Sequence, residues 1–162
     1  MIIKQLNKND WKQFKDIRLE ALQNSPTSFS SLYEEEISYS EERWINFHER
    51  GEFFGAFIDG KLIGSGRLCL RTSKSSQHKC EICGIYVKPE YRGNGIAKRI
   101  IEELLVCAKE KGCTQIHLGC VTINISAVNL YKKCGFEIYG TEPNAIKING
   151  KFYDEYLMFL KL

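Results

Sequence analysis

Apolar positions along the chain change their spacing several times, and each change marks an element. Ile2 to Leu6 is a short apolar run and predicts a strand. From Asp10 the spacing becomes helical, with Phe14, Ile17, Ala21 and Leu22 on one face. Asp10 takes the N-cap position there, and Gln13 completes a capping box. Pro26 and the Ser/Thr-rich run to Ser31 end this helix. A second helix is expected from about Ser40 to Arg50, with Trp44 and Phe47 on its inner face and Gly51 at its end.

The pattern then becomes that of strands. Phe53 to Ile58 and Leu62 to Leu70 flank Asp59-Gly60, a strong signal for a tight hairpin. After a polar loop, Cys80 to Val87 forms another strand, ended by Pro89. Gly95 to Lys111 is the clearest helix. Ile96, Ile100, Ile101, Leu104, Leu105 and Ala108 share one face, and Gly112 follows as the terminating glycine. Ile116 to Val121 is a strand, and Asn124 to Cys134 a short helix closed by Gly135. Asn149-Gly150 joins Ala145–Ile148 to Phe152–Leu160 in a last hairpin. The order is β-α-α-β-β-β-α-β-α-β-β. It predicts an α/β fold with one mixed sheet, an antiparallel meander plus a β-α-β unit, and helices on both faces. No linker or repeat divides residues 1–162, so a single domain is expected.

Composition narrows the function classes. Hydrophobic residues make up 43% and charged residues 27% of 162 positions, as in ordinary globular proteins. The net charge of +3 is too mild for a dedicated nucleic-acid binder. No apolar stretch approaches the ~20 residues of a membrane span, and Lys4 falls where a signal peptide needs apolar residues. A cytoplasmic location follows as the expectation. The seven cysteines form an odd set, and only Cys80 and Cys83 are closely spaced. On a strand, positions three apart point to opposite faces, and no second Cys-x-x-Cys exists. No metal site is expected.

The most informative stretch is Val87-Lys88-Pro89-Glu90-Tyr91-Arg92-Gly93-Asn94-Gly95-Ile96-Ala97. A strand ends, a glycine-rich turn follows, and a long amphipathic helix begins at once. Such a turn aims unpaired backbone N–H groups and the positive helix end at one point. Gly93 and Gly95 let an anion approach the backbone, and Arg92 and Lys98 add charge. A phosphate or pyrophosphate fits this place. So does a plain structural turn that needs glycine for its geometry. The dinucleotide-binding pattern would put a third glycine at Lys98, and no Gly-Lys-Ser/Thr of a Walker loop occurs.

Arg92-Gly93-Asn94-Gly95-Ile96-Ala97 resembles the Gln/Arg-x-x-Gly-x-Gly/Ala loop of the GNAT superfamily of N-acetyltransferases, which holds the pyrophosphate of coenzyme A. A second motif of that family stands downstream: Asn124-x-x-Ala127-x-x-Leu130-Tyr131-x-x-Cys134-Gly135-Phe136. The two motifs and their strands cover about residues 80–139. Cys120 stands where the family carries an aliphatic residue, a mild departure because Cys packs as a small apolar side chain.

The resemblance implies a GNAT-like fold and transfer of an acetyl group from acetyl-CoA to a primary amine by direct attack. It implies that two parallel strands splay apart. Backbone N–H groups of Ile85, Tyr86 and Val87 would then bind pantetheine and polarise the thioester carbonyl, and the turn from Arg92 to Lys98 would bind the phosphates. A primary amine of pKa ~10.4 must give up a proton against about three units of affinity, roughly 4 kcal/mol at pH 7. Glu81, six residues before Val87, stands where histone-type members carry a general base. Strict alternation puts it on the face of Ile85 and Val87 unless a bulge intervenes. Glu34, Glu35, Glu36, Asp154 and Glu155 are rivals. Tyr131 is the family's general acid beside the sulfur. Full transfer from a phenol at ~10 to a thiolate at ~8.5 is uphill by about 2 kcal/mol, so a strengthening hydrogen bond suits it better. Asn124 would serve as helix N-cap and pantetheine contact, and Lys132 and Lys133 could approach the phosphates.

Acceptor recognition falls to Phe29, Glu34, Tyr153 and Asp154, whose carboxylates and aromatics suit a cationic small amine, amino acid or peptide. Asp154 and Glu155 are adjacent on a strand, so only one of them can face a cleft. The alternatives are a catalytically inactive acyl-CoA-binding sensor or interaction domain, and a binder of another nucleotide. Retention of Tyr131 and Asn124 favours the enzyme. The last hairpin and the sheet edges could support a homodimer.

Overall fold

A computed structural model describes the whole chain, Met1–Leu162. Asp59 and Gly60 both adopt positive φ (48° and 77°) and close a two-residue hairpin between β2 (Glu52–Ile58) and β3 (Lys61–Leu70). β1 (Ile2–Gln5) pairs with β2, and β4 (Lys79–Val87) returns antiparallel along β3. The chain then crosses through α4 (Ile96–Glu110) to β5 (Gln115–Val121), which lies parallel to β4. After α5 (Ile125–Lys133), β6 (Glu137–Ile148) and β7 (Lys151–Lys161) form the closing hairpin through Asn149-Gly150. The result is a seven-stranded mixed sheet in the order β1-β2-β3-β4-β5-β7-β6. Only β4 and β5 run parallel.

The two faces carry separate cores. On one face, Ile96, Ile100, Ile101 and Leu104 of α4 pack with Val128 and Tyr131 of α5 over Leu68, Ile82, Ile116 and Leu118. On the other, α1 (Trp11–Asn24) and the segment after it place Phe14, Trp44 and Phe47 over Phe53, Phe57 and Tyr86. Trp44 and Phe47 are fully buried, as their spacing predicts.

Four local readings change. Asp10 holds the N-cap position of α1 but makes no side-chain cap. The cap lies one turn earlier, where Asn7 Oδ1 accepts from Asn9 N at 2.9 Å and Asp10 Oδ2 accepts from Asn7 N at 3.0 Å. Gln13 instead ties α1 to the first hairpin: its Oε1 accepts from Leu62 N at 2.8 Å and its Nε2 donates to Gly60 O at 3.2 Å. The helix expected from Ser40 to Arg50 is a short α3 (Glu41–Ile45), capped by Ser40, that tightens into a 3₁₀ turn over Asn46–Arg50. A further short helix, α2 (Tyr33–Glu36), precedes it. β6 begins eight residues before the expected Ala145, because the stretch from Glu137 to Glu142 pairs with β7 although both of its faces are largely exposed.

Candidate active site

β4 and β5 hold the site between them. They pair at only three positions, Lys79 with Gln115, Cys80 with Ile116 and Glu81 with His117. Beyond Glu81 they exchange no pairs, although β4 continues to Val87 and β5 to Val121. β4 also bulges there. Between its pairings with β3 at Cys83 and Tyr86 it carries an extra residue, and Gly84 adopts φ +69°. The bulge resets the alternation, so Glu81 is released from the phase of Ile85 and Val87.

The gap opens into a cavity of about 290 Å³, lined from both faces of the sheet. Its walls include Glu81, Ile85, Tyr86, Asn124, Tyr131 and Phe29 from the predicted set. Tyr131 is buried against Phe136, and burial first, then the Cys120, Cys83 and Cys134 thiols, pushes its phenol well above the usual value. It therefore enters the cavity as a neutral hydrogen-bond donor. Asn124 caps α5, its Oδ1 accepting from Ala127 N at 3.2 Å. Its Nδ2 donates to Ser28 Oγ at 3.2 Å, which pins the Pro26–Ser28 turn to α5 across the cavity.

The glycine-rich turn lies at the end of β4, outside the cavity wall. Gly93 and Gly95 have φ +81° and +73°, and nothing lies within 4 Å of where a Cβ would stand on either. α4 starts at Gly95 without a side-chain cap, so the N–H groups of Ile96, Ala97 and Lys98 open outward. Arg92 Nε donates to Val87 O at 2.9 Å and its guanidinium lies 5.4 Å over the Tyr86 ring. Asn94 Nδ2 donates to Tyr91 O and Arg92 O at 3.2 and 3.3 Å, fixing the turn. Lys98 faces solvent beside Glu102 at 3.6 Å. The Tyr86 hydroxyl is occupied on the α1 side, donating to Glu20 and accepting from Asn24, both at 3.0 Å.

The acidic run and the last hairpin each enter one residue or two out of the expected phase. Glu34 is exposed and away from the cavity, whereas Glu36 is buried in its wall. Burial alone would raise Glu36, but the Arg18 hydrogen bonds and charge outweigh it and hold its carboxyl below the usual range. The pair is bidentate, at 2.7 and 3.0 Å. Asp154 Oδ1 accepts from Asn144 N at 2.8 Å and shapes the irregular part of β6. Tyr153 packs with Ile146 and Ile148. Glu155 is the residue that faces the cavity. Its carboxylate lies over Gly119, where any Cβ would come within 2.9 Å of its Oε2. Burial, then Glu142 directly across the β6–β7 pair, then Glu81, raises its proton affinity. Glu81 itself is partly exposed and 3.5 Å from Arg71.

Three arginines of the wall, Arg18, Arg50 and Arg67, are absent from the sequence expectations. A charge at Arg67 inside the apolar run Leu62 to Leu70 was the available signal. Cys83 is also in the wall. The Cys69 thiol at 3.2 Å and the Arg67 guanidinium hold its own thiol below the usual range.

The sequence model described as the acetyltransferase (GNAT) family matches residues 11–136. A pig thialysine N-epsilon-acetyltransferase is 51% identical over 51 residues, 32% of this chain and 30% of that protein, so the match spans under a third of that relative's length. A spermidine N(1)-acetyltransferase from Thermoplasma acidophilum is 28% identical over 138 residues, covering 77% of this chain and 83% of the relative. The structure of yncA from Salmonella typhimurium, solved with its cofactor acetyl-CoA, superposes with a TM-score of 0.87 over 100% of this chain and 94% of that one, at 18% identity.

Proposed function

This chain belongs to the acetyltransferase (GNAT) family, and from that premise we propose that it transfers the acetyl group of acetyl-CoA to a primary amine by direct attack. The observation that carries the reading is the unpaired stretch of β4 and β5, with Tyr131 in its wall and an uncapped, glycine-lined helix start at its end. Gly93 and Gly95 fit coenzyme A: both hold positive φ and leave the space a side chain would fill open to a pyrophosphate. Arg92 and Lys98 supply positive charge at that point. Acetyl-CoA brings the activated thioester, and the remaining tasks belong to the chain.

The backbone of Ile85 to Val87, free of β5, offers donors to a carbonyl oxygen as negative charge grows on it. The neutral Tyr131 hydroxyl offers a hydrogen bond to a departing thiolate. Of the three carboxylates in the wall, Glu36 is spent on Arg18, which leaves Glu155 and Glu81, and Glu155 is the one placed to accept a proton. Burial and its acidic neighbours raise its proton affinity and it makes no ion pair, whereas Glu81 is paired with Arg71. Glu155 takes the proton of the attacking amine, and Glu81 adds negative potential that attracts a cationic amine.

Calorimetric titration tests the reading. Wild type is expected to bind acetyl-CoA at micromolar level and to ignore ATP and NAD. Gly95→Glu, which puts a charged side chain at a positive φ in the anion seat, is expected to lose that binding. Tyr131→Phe is expected to bind normally and turn over more slowly. Equal binding by Gly95→Glu would remove the turn from the site. Binding without turnover of any amine would leave a binding module.

A further inference from the structure

The cavity is electrically divided. Its α1 side gathers the guanidinium groups of Arg18, Arg50 and Arg67 around a single carboxylate, Glu36. Arg18 is spent on Glu36. Neither Arg50 nor Arg67 takes part in an ion pair. The two are close enough to repel: burial, then Arg67, then Arg43, lowers the proton affinity of Arg50. Arg67 is partly buried on β3 and packed 5.5 Å over the Phe53 ring. Its Nε donates to Cys83 Sγ at 3.2 Å. Its side-chain partners are the Cys83 and Cys69 thiols, and no carboxylate engages its terminal nitrogens, the fork that grips one. A thiolate at Cys83 would offset only one of these charges. Glu155 enters the cavity from β7, two strands away from Arg67's partner strand β4, and Glu81 stands on β4 beside Cys83, paired across to Cys69.

Arg50 is exposed and Arg67 half-buried, and neither has a carboxylate partner, so together they present positive charge to the cavity that an anion would neutralise. A plain polyamine brings only more positive charge. The geometry points to an acceptor that carries its own carboxylate, gripped by Arg67 and Arg50, while its amine is delivered to Glu155 and Glu81. This assignment rests on the acetyl-transfer reading and names its substrate class as free amino acids. It also gives these two arginines a task that packing does not.

The test compares acceptors that differ only at the carboxylate. With saturating acetyl-CoA, thiol release is followed for a panel of L-amino acids, each against its carboxamide, together with 1,5-diaminopentane and spermidine. The preferred acid is expected to exceed its amide in kcat/KM by roughly ten- to a hundredfold, the range of a charged hydrogen-bonded contact. That ratio is expected to collapse toward one in Arg67→Gln and Arg50→Gln, through KM rather than kcat. Arg67→Lys, which keeps the charge and loses the fork, is expected to fall between. Titration of acetyl-CoA into each variant checks that it is folded. Amides matching acids, a ratio that survives both glutamine variants, or acetylation of spermidine and of no amino acid would each overturn the assignment and leave acetyl transfer standing. Acetyl-CoA bound with no amino acid acetylated overturns it equally. Failure of wild type to bind acetyl-CoA would instead overturn the reading beneath it.

Discussion

Glu155 and Glu81 sit on strands either side of β5 and face one cavity, yet they carry different loads. Glu155 is crowded by burial and by Glu142 and Glu81, so its ionised form is disfavoured in the folded chain. Its contribution to stability is therefore present below the ordinary carboxylate range and is lost as pH rises through its raised value. Glu155→Gln removes that loss. The variant is expected to melt higher than wild type at neutral pH while its turnover falls roughly a hundredfold or more and its pH–rate profile loses the acidic limb. Glu81→Gln is expected to keep the limb. Unchanged turnover in Glu155→Gln would return the proton to Glu81 or to water. At this scale the sequence was legible in kind but not in phase. An acidic run and an acid pair on the last strand were visible, but the side chains that face inward are Glu36 and Glu155, not Glu34 and Asp154. A helix of four residues and a strand with an irregular neighbour set that phase, and neither shows in local spacing.

The bulge in β4 does the comparable work at the scale of elements. Gly84 at φ +69° lets the strand gain one residue on β3, and nothing lies within 4 Å of the place its Cβ would occupy. Gly84→Ala is thus free of clashes but strained, and its methyl enters the cavity. Denaturant unfolding is expected to show a loss of about 1 kcal/mol, the scale of a left-handed backbone in a non-glycine residue. Kinetics are expected to show a raised acceptor KM. A variant equal to wild type in both would mean that the bulge does not shape the site. Elements with strong local signals were readable: the Asp59-Gly60 and Asn149-Gly150 turns, the α4 face, and the glycines closing α4 and α5. The glycine-rich turn and the Asn124–Phe136 stretch were readable because each is contiguous. The start of β6 was not, because Glu137 to Asn144 bury neither face and lack alternation. The arginine end of the cavity was not either, since it is assembled from α1, the 3₁₀ turn before β2, and β3.

Across the whole molecule, strands β1 to β4 form one half of the sheet and β5 to β7 the other. Backbone pairing between the halves is confined to Lys79–Glu81 and Gln115–His117, extended by Thr114 N donating to His78 O at 2.9 Å. The molecule is thus built like a book bound along a short spine, with its pages open at the end that holds Tyr131 and Gly84. An opening of this kind has little backbone pairing to break, so the amides beside it are expected to exchange with solvent faster than those of β2 and β3. A guest lodged between the pages would act as a clasp. Adding acetyl-CoA is expected to slow amide exchange along both β4 and β5 at once, far from the phosphate end, and to raise the melting temperature with its concentration. The same short spine means that a change in β7, which touches only the far page, can be felt at β4 through the angle at which the book stands open.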